Sequence, residues 1–365
     1  MALDRRGFLR GAGPAALAAG ALVACKPAPP PAPGGKRTFD WRMATSWPTG
    51  FPGLGEAAER LADAITRGSA GALRVTMHAG GELVPPFGVF DAAAKGEVEM
   101  GHSASYYWRA KADATPFFCT VPFGLTAAEM NAWLYHGGGM ELWRELYGRF
   151  ELVPFAAGNT GLQLAGWFNR EINSPRDLKG LRMRIPGLGG EVLARVGAQP
   201  VEVPGSNLYT AMKNGTIDAC EWLGPFNDLQ MQLFRAAKYC YYPGWHEPGA
   251  TIECFVNRKA WDSLPDELQA VVAACCQAAN LDLHSRYVAA DQEAREVLAN
   301  THKVQFRRLP ASVLTLLRSE SDALLAEIGA RDAFTRRVYE SWLAFRERAR
   351  QWRAPSEMAF YEARG

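Results

Sequence analysis

The chain has 365 residues, 48% of them hydrophobic and 21% charged. That length supports one large or two medium domains with proper cores. A formal net charge of +2 leaves no broad basic face, which argues against nucleic acid as a partner.

The N-terminus reads as an address. "DRRGFLR" (Asp4 to Arg10) is a twin-arginine stretch, and "GAGPAALAAGALVAC" after it is too short and too small-sided to span a membrane. "LVAC" (Leu22 to Cys25) has the small-residue pattern that precedes a lipidated cysteine, and "KPAPPPAPGGK" is a stiff Pro-rich tether. The plainer alternative is a cleaved signal followed by a linker. Either way the folded part is expected to start near Thr38 and to work in the periplasm. Six further cysteines (Cys119, Cys220, Cys240, Cys254, Cys275 and Cys276) form no C-x-x-C and no zinc-spaced cluster. They read as small buried hydrophobes, and no disulfide is assigned.

From there strands and helices alternate. "FDWRMATSW" is a strand, "LGEAAERLADAITRGS" an amphipathic helix, "LRVTMHAG" a strand, and "PFGVFDAAAKGEVEM" a helix running to the next edge. The rhythm continues through "LRMRIPG", "GEVLARVG", "QPVEVP", "NLYTAMKNG", "IDACEWLG" and the helical "FNDLQMQLFRAAKYC". "TIECFVN" is a strand, followed by a helix begun by Ser263 with Pro265 and Asp266 in its first turn. The remainder reads as almost wholly helical. Such alternation implies an α/β fold with largely parallel sheets. The last clear helix carries Phe334, Val338, Trp342 and Phe345 at helical spacing. That stripe either docks on its own domain or packs on a second subunit.

Four stretches can carry chemistry. In "RMRIPGLGGEVL" alternation sends Arg182 and Arg184 to one side of a strand, with Met183 and Ile185 opposite. The glycines do not fit a dinucleotide fingerprint, and no G-K-[ST] P-loop exists. A guanidinium beside a helix start suits a carboxylate, and Arg184, nearer the strand's end, is the better candidate. In "DACEWLGPFNDL", Glu221 and Trp222 lie in an apolar strand, where a carboxylate is costly unless paired or bound to a cation. "YYPGWHEPGA" is a rigid loop bearing His246 and Glu247, and "GNTGLQLAGWFN" sets Gln163 among small and apolar residues. Glu221, Glu247 and Gln163 offer only oxygen donors, which suit Na+ or Ca2+ rather than zinc. His246 is expected to hydrogen-bond locally rather than act as a base. No hydrolase motif is present. Tyr106, Tyr107 and Trp108 follow a strand and either line a cleft or pack in the core.

Taken as one ordered string, "GLRMRIPGLGGEVLARVGAQPVEVPGSNLYTAMKNGTIDACEWLGPFNDL" and then "AAKYCYYPGWHEPG" resembles the extracytoplasmic solute receptors of tripartite ATP-independent periplasmic (TRAP) transporters. The likeness runs from about Phe39 to Trp352 and is greatest to the subgroup that binds 2-oxo acids and other small monocarboxylates. It implies a periplasmic-binding-protein-like clam-shell of two α/β domains with hinge strands and a long C-terminal helical segment. The boundaries expected are 1–37 for signal and linker, 38–161 plus 250–290 for lobe I, and 162–249 plus 291–330 for lobe II. Residues 331–365 form the C-terminal helix, a candidate dimerisation element. The resemblance makes Arg184 the clamp on the ligand carboxylate. It places a bridging metal ion on Gln163, Glu221, the Trp222 carbonyl and Glu247, and brings Tyr106 or Tyr107 to the ligand from the other lobe. It also implies a homodimer that exchanges the C-terminal helix, and delivery of a ligand such as pyruvate or lactate to membrane subunits.

Charge counting leaves the ion open. Glu221, Glu247 and a ligand carboxylate carry three negative charges and Arg184 one positive, so Ca2+ neutralises the cluster and Na+ leaves it at −1. Neutrality favours Ca2+, whereas the resemblance favours Na+. The rival reading is a secreted metal-dependent enzyme acting on an oxo acid, but no catalytic constellation supports it.

Overall fold

The protein is described here by a computed structural model covering residues 37–365. The expected export signal, Cys25 and the expected Pro-rich tether lie outside the described residues. Thr38–Gly365 forms one compact unit.

The chain opens with β1 (Phe39–Thr45), α1 (Leu54–Gly68), β2 (Leu73–His78), α2 (Val89–Lys95) and β3 (Met100–Ser103). Helices α3 (Ala127–His136) and α4 (Gly139–Gly148) lead into β4 (Leu152–Asn159). Short elements follow: β5 (Gly166–Phe168), β6 (Arg182–Arg184), α5 (Gly187–Arg195), β7 (Gln199–Val201), α6 (Leu208–Lys213), β8 (Ala219–Cys220), α7 (Pro225–Gln230) and β9 (Tyr239–Tyr242). Then come β10 (Thr251–Asn257), α8 (Arg258–Asp262), the 31-residue α9 (Asp266–Glu296), β11 (Gln305–Arg308), α10 (Ala311–Gly329), α11 (Ala333–Arg353) and α12 (Ala359–Arg364).

The strands sort into two sheets. The first has the order β2-β1-β3-β10-β4 and the second β11-β9-β5-β8-β6-β7. In the first, β1 runs parallel to β2 and β3, while β10 is antiparallel to β3 and β4. In the second, β6 is parallel to β7 and β8, and β5 is antiparallel to β8 and β9. The chain therefore passes between sheets at residues 160–165, at residues 243–250, and through α9. This is the two-sheet α/β clam-shell expected of the TRAP receptors.

Local chemistry explains the elements. Helix α1 buries Leu54, Ala57, Ala58, Leu61, Ala62 and Ile65, a helical stripe that covers the first sheet. Phe118 lies between the rings of Trp133 and Trp143, at 5.7 and 5.4 Å. The apolar stripe of α11 is used within the same chain: Phe334, Val338 and Trp342 are buried, Trp342 lies 5.5 Å from Phe117, and Phe345 packs over Gly137. Of the described cysteines, Cys275 is partly exposed and the other five are buried; all six are free.

Four local expectations are corrected. Asn257 caps α8 by accepting from Ala260 N at 3.2 Å, so "RKAWD" forms its own helix. Ser263 ends that helix, and Pro265 precedes α9, which starts at Asp266. The helix expected over "FNDLQMQLFRAAKYC" breaks at Gln232, whose φ is +57°, and its tail joins β9. Strand β11 interrupts the helical C-terminal region because "QFRR" pairs in parallel with β9. Finally, β8 stops at Cys220, so Glu221 and Trp222 stand just beyond the strand rather than in it.

Candidate functional site

The second sheet delivers Arg184. It ends β6, and its Nη1 donates to the Glu221 carbonyl at 2.9 Å and to the Glu221 Oε1 at 2.5 Å. Its guanidinium carbon also lies 5.0 Å from the centre of a Trp222 ring. Arg182, two residues earlier, is spent differently: it holds Asp218 with both Nε and Nη2 and reaches the Gly215 carbonyl. The three glycines have separable roles. Gly187 has φ +62° and makes the turn out of β6. A Cβ at Gly189 would stand 2.9 Å from His246 Cβ, and one at Gly190 would stand 2.7 Å from the Ile185 carbonyl oxygen. Both glycines therefore let α5 pack directly against the strand and the 243–250 segment.

Gln163 and Glu247 come from the two non-helical passages between the sheets. The passages are tied together: Gly244 N donates to the Gln163 carbonyl at 3.0 Å, and Thr160 N donates to the Ala250 carbonyl at 3.0 Å. The Thr160 hydroxyl accepts from Ala250 N at 3.1 Å, and Asn159 donates to the Thr251 hydroxyl. The Gln163 amide nitrogen donates to Glu247 Oε2 at 2.9 Å, while its buried Oε1 finds no partner among the described residues. Glu221 is 2% exposed and its second carboxylate oxygen lies 3.3 Å from His246 Nε2. His246 thus hydrogen-bonds locally, as expected, although the sequence did not identify Glu221 as its partner.

The electrostatics reflect crowding of acids. Desolvation pushes the Glu247 carboxyl up to about 7, the neighbouring Glu221 charge adds to the rise, and His246, Gln163 and Arg184 oppose it. Tyr106 and Tyr107 lie in a single helical turn after β3, with ring centres 4.6 Å apart. Burial raises the Tyr106 hydroxyl and pushes that of Tyr107 up to about 12, and both feel the Glu247 charge. Two tyrosines from the first sheet's side therefore sit near the acids of the second. Trp108 belongs elsewhere: it is buried, and its Nε1 donates to Glu253 Oε1 at 2.6 Å.

One side chain not read from the sequence joins this group. Phe51 lies before α1 and meets Trp222 edge-on, with ring centres 6.2 Å apart. The aromatic type of Phe51 was its only sequence signal, because its partner lies far along the chain.

No group of three His, Cys, Asp or Glu that could hold a metal occurs among the described residues. The donors gathered here are instead two carboxylates and an amide oxygen without a partner among the described residues. Such an all-oxygen set fits a hard cation and not zinc.

Comparison with known proteins identifies the family. The family of bacterial extracellular solute-binding proteins, family 7, matches residues 43–332. A monocarboxylate 2-oxoacid-binding periplasmic protein from Nostoc sp. is 41% identical over 322 residues, which is 88% of this chain and 87% of that relative. A TRAP periplasmic solute-binding protein from Colwellia psychrerythraea, with bound calcium and pyruvate, has a TM-score of 0.86 and 41% identity, over 89% of this chain and 99% of that one. Another, from Pseudoalteromonas atlantica with bound sodium and pyruvate, has a TM-score of 0.83 and 41% identity over the same shares of the two chains. With the two-sheet fold, these matches settle the family: the chain belongs to the family 7 extracellular solute-binding proteins, the solute receptors of TRAP transporters.

Proposed function

We propose that this protein captures a small 2-oxo monocarboxylate such as pyruvate, or lactate, in the periplasm and delivers it unchanged to the membrane subunits of a TRAP transporter. The observation that carries this reading is the convergence of Arg184, Glu221, Glu247 and Gln163 where the chain passes between its two sheets, with the Gln163 Oε1 buried and without a partner among the described residues. Gln163, Glu221, the Trp222 carbonyl and Glu247 would hold a Na+ or Ca2+ ion, which supplies positive charge to the ligand carboxylate. Arg184 orients that carboxylate. Both of its contacts to Glu221 use Nη1; Nη2, with no hydrogen bond among the described residues, would form the second arm of a carboxylate clamp. Tyr106 or Tyr107 closes on the ligand from the opposite side, and desolvation keeps their hydroxyls protonated as donors.

The lobes in this reading are 38–161 with 250–290 and 162–249 with 291–330, and they close around the ligand by hinge motion. The family makes binding, rather than catalysis, the working expectation. Export by the twin-arginine signal, with or without a lipid on Cys25, brings the receptor to the periplasm. A homodimer through residues 331–365 is supported by the exposed Trp352, Met358, Phe360 and Tyr361 near the end of the chain.

Calorimetry tests the reading. The protein is stripped by unfolding and refolding, then titrated with pyruvate, lactate and branched 2-oxo acids in calcium, in sodium and after chelation in a choline buffer. Saturable binding that needs the cation supports the proposal. Binding that persists unaltered without either cation removes the bridging ion, and conversion of the acid, followed by NMR, would favour the enzyme reading instead.

A further inference from the structure

We propose that Arg109 and Glu191, neither of them among the site groups above, are positioning residues that hold the two halves of the ligand site in register and set how long the ligand stays. This rests on the receptor reading and adds residues to it.

The two side chains come from opposite halves of the fold. Arg109 immediately follows the turn that carries Tyr106 and Tyr107. That turn is pinned on the first sheet's side: Trp108 donates to Glu253 on β10 at 2.6 Å, the Ser105 hydroxyl donates to the Thr115 carbonyl at 2.9 Å, and Lys111 pairs with Asp91 on α2 at 2.7 Å. Glu191 lies on α5, the helix that starts three residues after Arg184. Helix α5 is fixed to the second sheet's side by buried Leu188, Val192 and Leu193, and Arg195 on it pairs with Glu327 of α10 at 2.8 Å. The Arg109 guanidinium grips the Glu191 carboxylate with both terminal nitrogens, Nη1 to Oε1 and Nη2 to Oε2, the latter at 3.2 Å. The ligand-facing tyrosines and the ligand-facing arginine are thereby joined through a rigid two-point contact.

The neighbouring charges have partners of their own, although Arg331 and Asp113 still act on Arg109 in opposite directions. The pair borders a groove of about 610 Å³ lined by Arg109–Asp113, Glu191, Arg331 and Asp332. Lys111 is taken by Asp91, Arg331 pairs with Asp113, and Asp332 caps α11 by accepting from Phe334 N and Thr335 N. The side chain of Arg109 is only 20% exposed and that of Glu191 43%, so the contact is shielded more than an open surface pair. A forked arginine–carboxylate contact is geometrically selective. A contact between the two halves that breaks when they part slows that opening without needing to touch the ligand.

The experiment measures pyruvate association and dissociation by stopped-flow tryptophan fluorescence in the parent protein, in Glu191→Gln, in Arg109→Ala, and in the charge-swapped double variant Arg109→Glu with Glu191→Arg. Each single variant is expected to raise the dissociation rate about three- to tenfold with little change in association, the range for a partly shielded forked pair. The swap is expected to restore most of it. Unchanged dissociation in Glu191→Gln, or a loss seen equally in association and not rescued by the swap, overturns the proposal. A parent protein that binds no pyruvate defeats the ligand reading alone. Amide exchange across residues 106–113 then decides the pair: it rises in Glu191→Gln if the pair holds the turn and stays constant if it does not.

Discussion

Replacing Arg184 by alanine is the sharpest perturbation of the site. In the parent the guanidinium donates to Glu221 at 2.5 and 2.9 Å and covers Trp222. In the variant, Glu221, 2% exposed, keeps only His246 at 3.3 Å. Loss of charge-assisted hydrogen bonds to the ligand costs about 1.5–3 kcal/mol. Removing the arginine that pairs with this buried group of acids brings the expected total to about 3–5 kcal/mol. At about 1.4 kcal/mol per decade, that is a rise in Kd of roughly two to three and a half orders of magnitude. Arg184→Lys keeps the charge and loses the planar fork, so its Kd falls between the two. Titration calorimetry with pyruvate at saturating cation reads both variants, and circular dichroism checks that they fold. A folded Arg184→Ala protein with a Kd within threefold of the parent would refute the clamp.

Three further outcomes follow from the same geometry. Glu247→Gln removes the acid that Gln163 bonds and that feels the Glu221 charge, so cation and ligand affinity should fall together in calorimetry; a loss confined to one of them contradicts a bridging ion. Gly244→Ala would put a Cβ 2.3 Å from the Gln163 carbonyl oxygen, forcing the two passages apart at a cost of about 1–3 kcal/mol; its cation affinity, again by calorimetry, should drop about fivefold or more if that cost falls on binding. Glu253 is buried between Trp108 Nε1 and the Tyr147 hydroxyl, each at 2.6 Å, and burial pushes its carboxyl from an ordinary 4.5 up to about 8. Folding therefore favours the protonated acid: the stabilisation is full below about pH 4.5 and is lost as pH rises through about 8. Urea midpoints measured from pH 5 to 8 should fall in the parent and fall less in Glu253→Gln, and parallel curves would show that Glu253 does not contribute.

The candidate donors were legible because they are chemically out of place. Gln163, Glu221 and Glu247 are polar groups in small or apolar stretches, and Arg184 stands at the end of a strand just before a glycine-rich helix start. What brings them together was not legible. Gln163 and Glu247 meet because their segments are the two non-helical passages between the sheets, which depends on strand pairings far apart in sequence. The same distance hid Glu253 as the partner of Trp108, 145 residues away, and Phe51 as a neighbour of Trp222. Local misreadings had local causes. Gln232 adopts a left-handed conformation unusual for its type, and "QFRR" is polar enough to pass for a helix end until β9 supplies its pairing edge. The apolar stripe of α11 fitted either an intramolecular or an intermolecular face. It packs within its own chain, against Phe117 and Gly137.

The central claim is that one cation and one small carboxylic acid are held together between the two sheets. Native mass spectrometry of the protein purified without its signal, before and after mild denaturation, tests it most directly. The account predicts a released acid of 2-oxo monocarboxylate mass together with one calcium or sodium ion per chain, both absent from Arg184→Ala. A protein that is empty as purified, and stays empty after incubation with pyruvate and either cation, would contradict it.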